Sequence, residues 1–256
     1  MAAALFATSR LPQFENRNTL LVTAAFVTGT AGLLVHGTVL RFGILPADGL
    51  VLSLGNTASF IGLQLALTAL VISLEPTLRG LASGLVGLAA ITAVFTGWTA
   101  APIDGAATWQ LQVHVLVSLF AYGLLAVGAI VAVYALVQDN RLRAGRLSPV
   151  NNLFAPLETN EKLLYGLAAC GFAALLLAVF SGLLFVDDLF AQHLVHKTTL
   201  SLVALVLFGI LIAGRYVAGW RGRRAVHLYL WAFAVLGLAY FGSRYVLERV
   251  LGLHWG

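Results

Sequence analysis

SGLLFVDDLFAQHLVHKTT, residues 181–199, joins two long apolar segments through a short polar link. Asp187, Asp188, His193, His196 and Lys197 fall inside it, while the flanking segments, roughly 162–186 and 196–217, carry almost no charge. Each flank, wound as a helix, is long enough to cross a hydrocarbon core of about 30 Å. Polar groups are costly in hydrocarbon, so such a link marks an interface or a function. Both apolar runs are continuous rather than alternating, which separates them from the strands of a transmembrane barrel. This stretch therefore predicts an all-α, polytopic transmembrane helix bundle.

The rest of the chain repeats the pattern. Sixty per cent of its residues are hydrophobic and 10% are charged, against about 25% charged in a soluble domain. After a short N-terminal segment, residues 1–18, one transmembrane domain is expected over residues 19–256, with seven spans at roughly 19–40, 50–74, 81–99, 111–137, 162–186, 196–217 and 225–248. Met1–Ala7 is apolar but too short to span, and it reads as neither signal peptide nor helix. Thr159 is expected to cap the fifth span, with Glu161 in its first turn.

Basic residues test the count. Arg10, Arg17, Arg79, Arg141, Arg143, Arg146, Lys162, Arg215, Arg221, Arg223 and Arg224 fall on one side of the alternation, and only Arg41, Lys197, Arg244 and Arg249 on the other. That asymmetry predicts an inside N-terminus and an outside C-terminus. It also explains the pI of about 9.7 without nucleic acid, because the cations sit in short links beside membrane lipid. Cys170 is the single cysteine, which excludes an intrachain disulfide, a CxxC redox arm and an iron–sulfur cluster.

Five of the six histidines gather on the predicted outer side: His36, His114, His193, His196 and His254, with His227 inside. Neutral imidazole is the commonest metal ligand. Zinc needs a compact set of nitrogen, sulfur or oxygen ligands. Asp187, Asp188, His193 and His196 offer one, but no HExxH pattern is present. Heme needs two axial histidines, an apolar slot and cations for its propionates. Helices rich in Leu, Phe, Val and Gly supply the slot, and Arg41, Lys197 and Arg244 are outer-side cations.

Three stretches carry a resemblance. They are LQVHVLVSLFAYGLLAVGAIVAVYAL (111–136), LETNEKLLYGLAACGFAALLLAVFSGLLFVDDLFAQHLVHKTTLSL (157–202) and GWRGRRAVHLYLWAFAVLGLAYFGSRYVLERVLGLHWG (219–256). In order and spacing they resemble the heme-handling cytochrome c assembly proteins of the CcsA/ResC and CcmC type, with their HemX-like relatives. The resemblance implies that His114 and His254 ligate heme iron, and that Lys197 matches the lysine closing the family's external loop. His193, His196 and His36 stand as alternative or transfer ligands. The tryptophan-rich WGxxWxWD core of that loop is replaced by FAQHLVHK, and the later intramembrane histidine expected near Leu211–Arg215 is missing. The chain therefore looks most like the HemX-like branch.

The expected function is heme binding or handling in cytochrome c maturation, in a bacterial inner (cytoplasmic) membrane, beside other maturation proteins. The alternatives are a HemX-like regulatory or accessory protein without heme delivery, and a small ion or metabolite transporter. No nucleophile–base motif or nucleotide loop is present, so no enzymatic activity is expected.

Overall fold

Each apolar run folds as a helix, because a chain in hydrocarbon must satisfy its own amides and carbonyls. The computed structural model describes residues 1–45, 53–97, 108–145, 154–185 and 195–242, and no strand occurs among them. In order, the helices are α1 Ala2–Thr8, α2 Asn18–Ile44, α3 Leu54–Ile72, α4 Arg79–Ala93, α5 Trp109–Arg143, α6 Leu157–Phe185, α7 Val195–Ala218 and α8 Arg223–Gly237. A π-helical turn over Leu238–Gly242 continues α8. Short 3-10 turns at Pro12–Arg17 and Pro76–Leu78 lead into α2 and α4. Proline is tolerated there because a first-turn amide has no partner within the helix. At α3, Ser53 Oγ accepts the Asn56 amide at 3.0 Å and caps the helix.

Among the described residues six helical stretches are long and apolar enough to cross a membrane: Pro12–Ile44, Gly55–Ile72, Pro76–Ala93, Trp109–Arg143, Leu157–Phe185 and Lys197–Ala218. They coincide with the first six expected spans. The seventh, 225–248, is helical as far as Gly242, and its remainder lies outside the described residues.

Two local expectations fail. Within Met1–Ala7, everything from Ala2 on is helical after all, in α1. So short a helix is marginal alone, and packing holds it: Phe6 is fully buried beside Ala25 and Leu70 and meets Phe26 edge-on at 5.6 Å. At the other position, α6 starts at Leu157, so Thr159 lies within the helix and Glu158 is the first-turn carboxylate. The turn before α6 is fixed from α5. Gln138 Nε2 donates to the Ala155 carbonyl at 2.6 Å, and Asn160 Nδ2 donates to Gln138 Oε1 at 2.7 Å.

The chain gathers into two compact units. The first comprises Met1–Ala47, Val51–Ala101 and Val133–Leu163; the second comprises Asp48–Leu50, Pro102–Ala132 and Leu164–Gly256. In the first, Gly62 on α3 leaves room for Thr92 of α4, where a β-carbon would collide with the threonine hydroxyl. In the second, Gly128 on α5 receives the fully buried phenol of Tyr229 from α8, which donates to the Leu125 carbonyl at 3.0 Å. Gly171 on α6 admits the Leu125 side chain in the same way. Lipid is as apolar as leucine, so close approach at small residues, rather than a hydrophobic force, holds such helices together.

Candidate functional site

The second unit holds an oriented imidazole. His114 stands in the second turn of α5, half-buried, with Nδ1 2.9 Å from Ser181 Oγ on α6. Ser181 has one hydroxyl proton and donates it to the Ala178 carbonyl at 2.9 Å. With that proton on Ala178, the Ser181 oxygen accepts the Nδ1–H of His114, and the ring also lies in hydrogen-bonding range of the Ala178 carbonyl. Gly182 makes room for the ring: a β-carbon there would stand 3.0 Å from His114 Cε1. One turn further along α5, Ser118 Oγ donates to the His114 carbonyl at 2.8 Å. Trp109 and Phe185 flank the same ends of α5 and α6, with ring centroids 6.3 Å apart. Lys197, in the first turn of α7, lies within electrostatic range of the imidazole.

More polar groups line the same helices below this end. Tyr122 follows His114 by eight residues and so shares its face of α5, as Ser201 shares the face of Lys197 on α7. Tyr122 Oη and Ser201 Oγ are 3.5 Å apart, and the Tyr122 ring lies 5.7 Å from that of Tyr240. Tyr240 sits in the π-helical turn, a rare geometry that is frequent at functional sites.

His36 belongs to the first unit and has a different environment. Its Nε2 is 2.7 Å from Ser59 Oγ, which is 2.5 Å from Thr96 Oγ1, and Thr96 donates to the Ala93 carbonyl at 2.8 Å. Each hydroxyl has one proton, so the chain runs in one direction: His36 Nε2–H to Ser59, Ser59 to Thr96, Thr96 to backbone. Buried Asn56 ties the ends of three elements together beside it, donating to the Gly43 carbonyl and accepting the Gly97 amide, both at 2.9 Å.

Of the other expected site residues, His196 is placed in the first turn of α7 by its backbone. His193 and His254 lie outside the described residues, as do Asp187, Asp188 and Arg244. Among the described residues no three His, Cys, Asp or Glu side chains come together as a metal-ion group. Sequence reasoning did not single out Ser181, Gly182, Ser201, Tyr122 or Tyr240 as site residues. The only sequence signal for them is the eight-residue interval from His114 to Tyr122 and the Ser-Gly pair at 181–182.

These helices and this hydrogen-bonded imidazole at a span end define a polytopic helical membrane protein. The family profile described as Cytochrome C assembly protein matches residues 24–251, and the chain belongs to that family. It is a multi-pass inner-membrane protein. Over 235 residues it is 30% identical to inner membrane protein YpjD of Escherichia coli K12, covering 88% of this chain and 87% of that protein. An uncharacterized 28.8 kDa protein in the nifR3-like 5′ region of Azospirillum brasilense is 30% identical over 150 residues, 58% of this chain and 55% of its own length. No solved structure matches the chain.

Proposed function

We propose that the protein binds heme at the outer face of the inner membrane, as a non-enzymatic, HemX-like accessory in cytochrome c maturation. The observation that carries this reading is the Ser181–His114 pair, which holds an imidazole at the end of α5 by a hydrogen bond at Nδ1. Histidines that bind metals are commonly held in this manner, by a hydrogen bond to the other ring nitrogen. Two observations support the fit: Gly182 accommodates the His114 ring against α6, and Lys197 lies within electrostatic range of that ring. Heme, when bound, supplies an iron that takes two axial ligands. His114 is one of them in this reading. His254 is the other, by resemblance to the family's external pair. The seven-span topology, with the N-terminus inside, belongs to the same proposal and puts both residues at one face.

A second reading, an accessory or regulatory protein that delivers no heme, draws on FAQHLVHK standing where the tryptophan-rich motif is expected. An absorption spectrum of the protein purified in mild detergent tests heme binding. A Soret band with resolved α and β bands is expected. His114→Ala and His254→Ala should each abolish or reshape it, and their effects should not add, since either breaks a six-coordinate site. His227→Ala should leave it intact. Wild-type spectra in both outer mutants would overturn the ligand assignment, and no Soret band after reconstitution with hemin would overturn heme binding.

A further inference from the structure

Building on the heme reading of His114, we infer that Trp109 and Phe185 form an aromatic platform for the face of a porphyrin, so that this end of the second unit binds the macrocycle itself and takes a metal-free porphyrin as well as heme. Trp109 opens α5, five residues before His114, which is about 7.5 Å of helix. Phe185 closes α6, four residues after Ser181, so the two share a face one turn apart. Ser181 meets His114, and Phe185 meets Trp109 with ring centroids 6.3 Å apart and planes at 56°. Both contacts therefore lie in one seam between α5 and α6, with the aromatic pair at its end. Side chains on a helix lean toward its N-terminus. The start of α5 lies beside the end of α6, so the imidazole of His114 leans toward Trp109 and the ring of Phe185 leans back toward Ser181. Imidazole and aromatic rings converge on the same end of the seam.

Both rings remain exposed, Trp109 at 66% and Phe185 at 37%. Aromatic side chains offer the largest apolar areas a protein has, and here two of them stay uncovered beside a hydrogen-bonded imidazole. Apolar and aromatic walls with one or a few fixed polar groups are the usual lining of a small-molecule site. A porphyrin is flat, apolar over both faces and far wider than an imidazole, so one seated at His114 brings its face to rings a turn away. Offset or tilted stacking on Trp109 and Phe185 then holds the macrocycle whether or not it carries iron. An interfacial aromatic belt accounts for a tryptophan at a span end. It does not require that tryptophan to pair with Phe185 on the very face of α6 that carries Ser181.

The test titrates the full-length protein in mild detergent with hemin and, in parallel, with metal-free protoporphyrin, each read at its Soret band. Both should bind. Trp109→Ala and Phe185→Ala should each weaken both ligands about fivefold, as loss of an aromatic contact does, while Trp109→Phe keeps a ring and should lose little. His114→Ala should abolish or reshape the hemin band and leave metal-free protoporphyrin bound as before. Leu184, 63% exposed and adjacent to Phe185 in the chain, supplies the control: Leu184→Ala should change neither ligand. Hemin binding without metal-free protoporphyrin, or wild-type affinity in both alanine variants, would overturn the platform and leave iron ligation standing. Metal-free protoporphyrin bound in a Trp109-dependent way, with a hemin band indifferent to His114, would uphold the platform and overturn the axial ligand. An equal loss in Leu184→Ala would overturn the platform in favour of unspecific apolar partition. If an alanine variant does not insert, Trp109→Leu, which keeps apolar bulk without the ring, replaces it with the same loss expected.

Discussion

Replacing Ser181 with alanine removes one oxygen and leaves the α6 backbone as it is. That oxygen holds the Nδ1–H of His114 at 2.9 Å while its own proton is committed to Ala178. A hydrogen bond of this kind contributes about 0.5–1.5 kcal/mol net. Loss of the partner that orients a metal-binding histidine costs about 10–100-fold in affinity. The lower end should apply here, because the ring still lies against α6 at Gly182. Ser181→Ala should therefore weaken heme binding about tenfold, which is about 1.4 kcal/mol. Hemin titration of the detergent-solubilised protein, read at the Soret band, measures it. Ser118→Ala is the control: that hydroxyl donates to the backbone carbonyl of His114 and does not touch the ring, so affinity should hold. If Ser181→Ala binds as tightly as wild type while His114→Ala loses the band, the imidazole is not oriented by Ser181 and the tautomer argument fails.

The topology rests on the basic-residue asymmetry and is checked by single cysteines on a Cys170→Ser background. Ala144→Cys should be protected from an impermeant thiol reagent in spheroplasts, and Gly105→Cys and Gln192→Cys should be labelled; a labelled Ala144→Cys would sink the seven-span scheme. At Gly128, a methyl group would overlap the Tyr229 phenol, so Gly128→Ala should cost about 1–3 kcal/mol of stability as an overpacked contact does. Tyr229→Phe should cost only about 0.6 kcal/mol, the usual worth of a hydrogen bond between membrane helices, and equal unfolding midpoints for the two variants would contradict that ranking. Asp187→Asn/Asp188→Asn should leave abundance and heme spectrum unchanged, because adjacent carboxylates at a span end are expected to be interfacial; loss of the spectrum with normal insertion would assign them to the site.

The sequence by itself determined that this chain is a bundle of membrane helices, and it located most of their ends. The signal is local: a run of apolar residues reports its solvent directly, and hydrocarbon leaves a single chain segment little choice but helix. It also drew attention to His114 and Lys197, since a polar side chain at the edge of an apolar run is conspicuous. Only the tertiary structure decided which helix faces meet. Lipid and protein are equally acceptable to an apolar face, so hydropathy does not specify how each helix is turned about its axis. For that reason Ser181, 67 residues from His114, was not legible as its partner. Nor was the meeting of Tyr122 with Ser201, 79 residues apart, or the helix at Ala2–Thr8, which exists because Phe6 finds Phe26, Ala25 and Leu70.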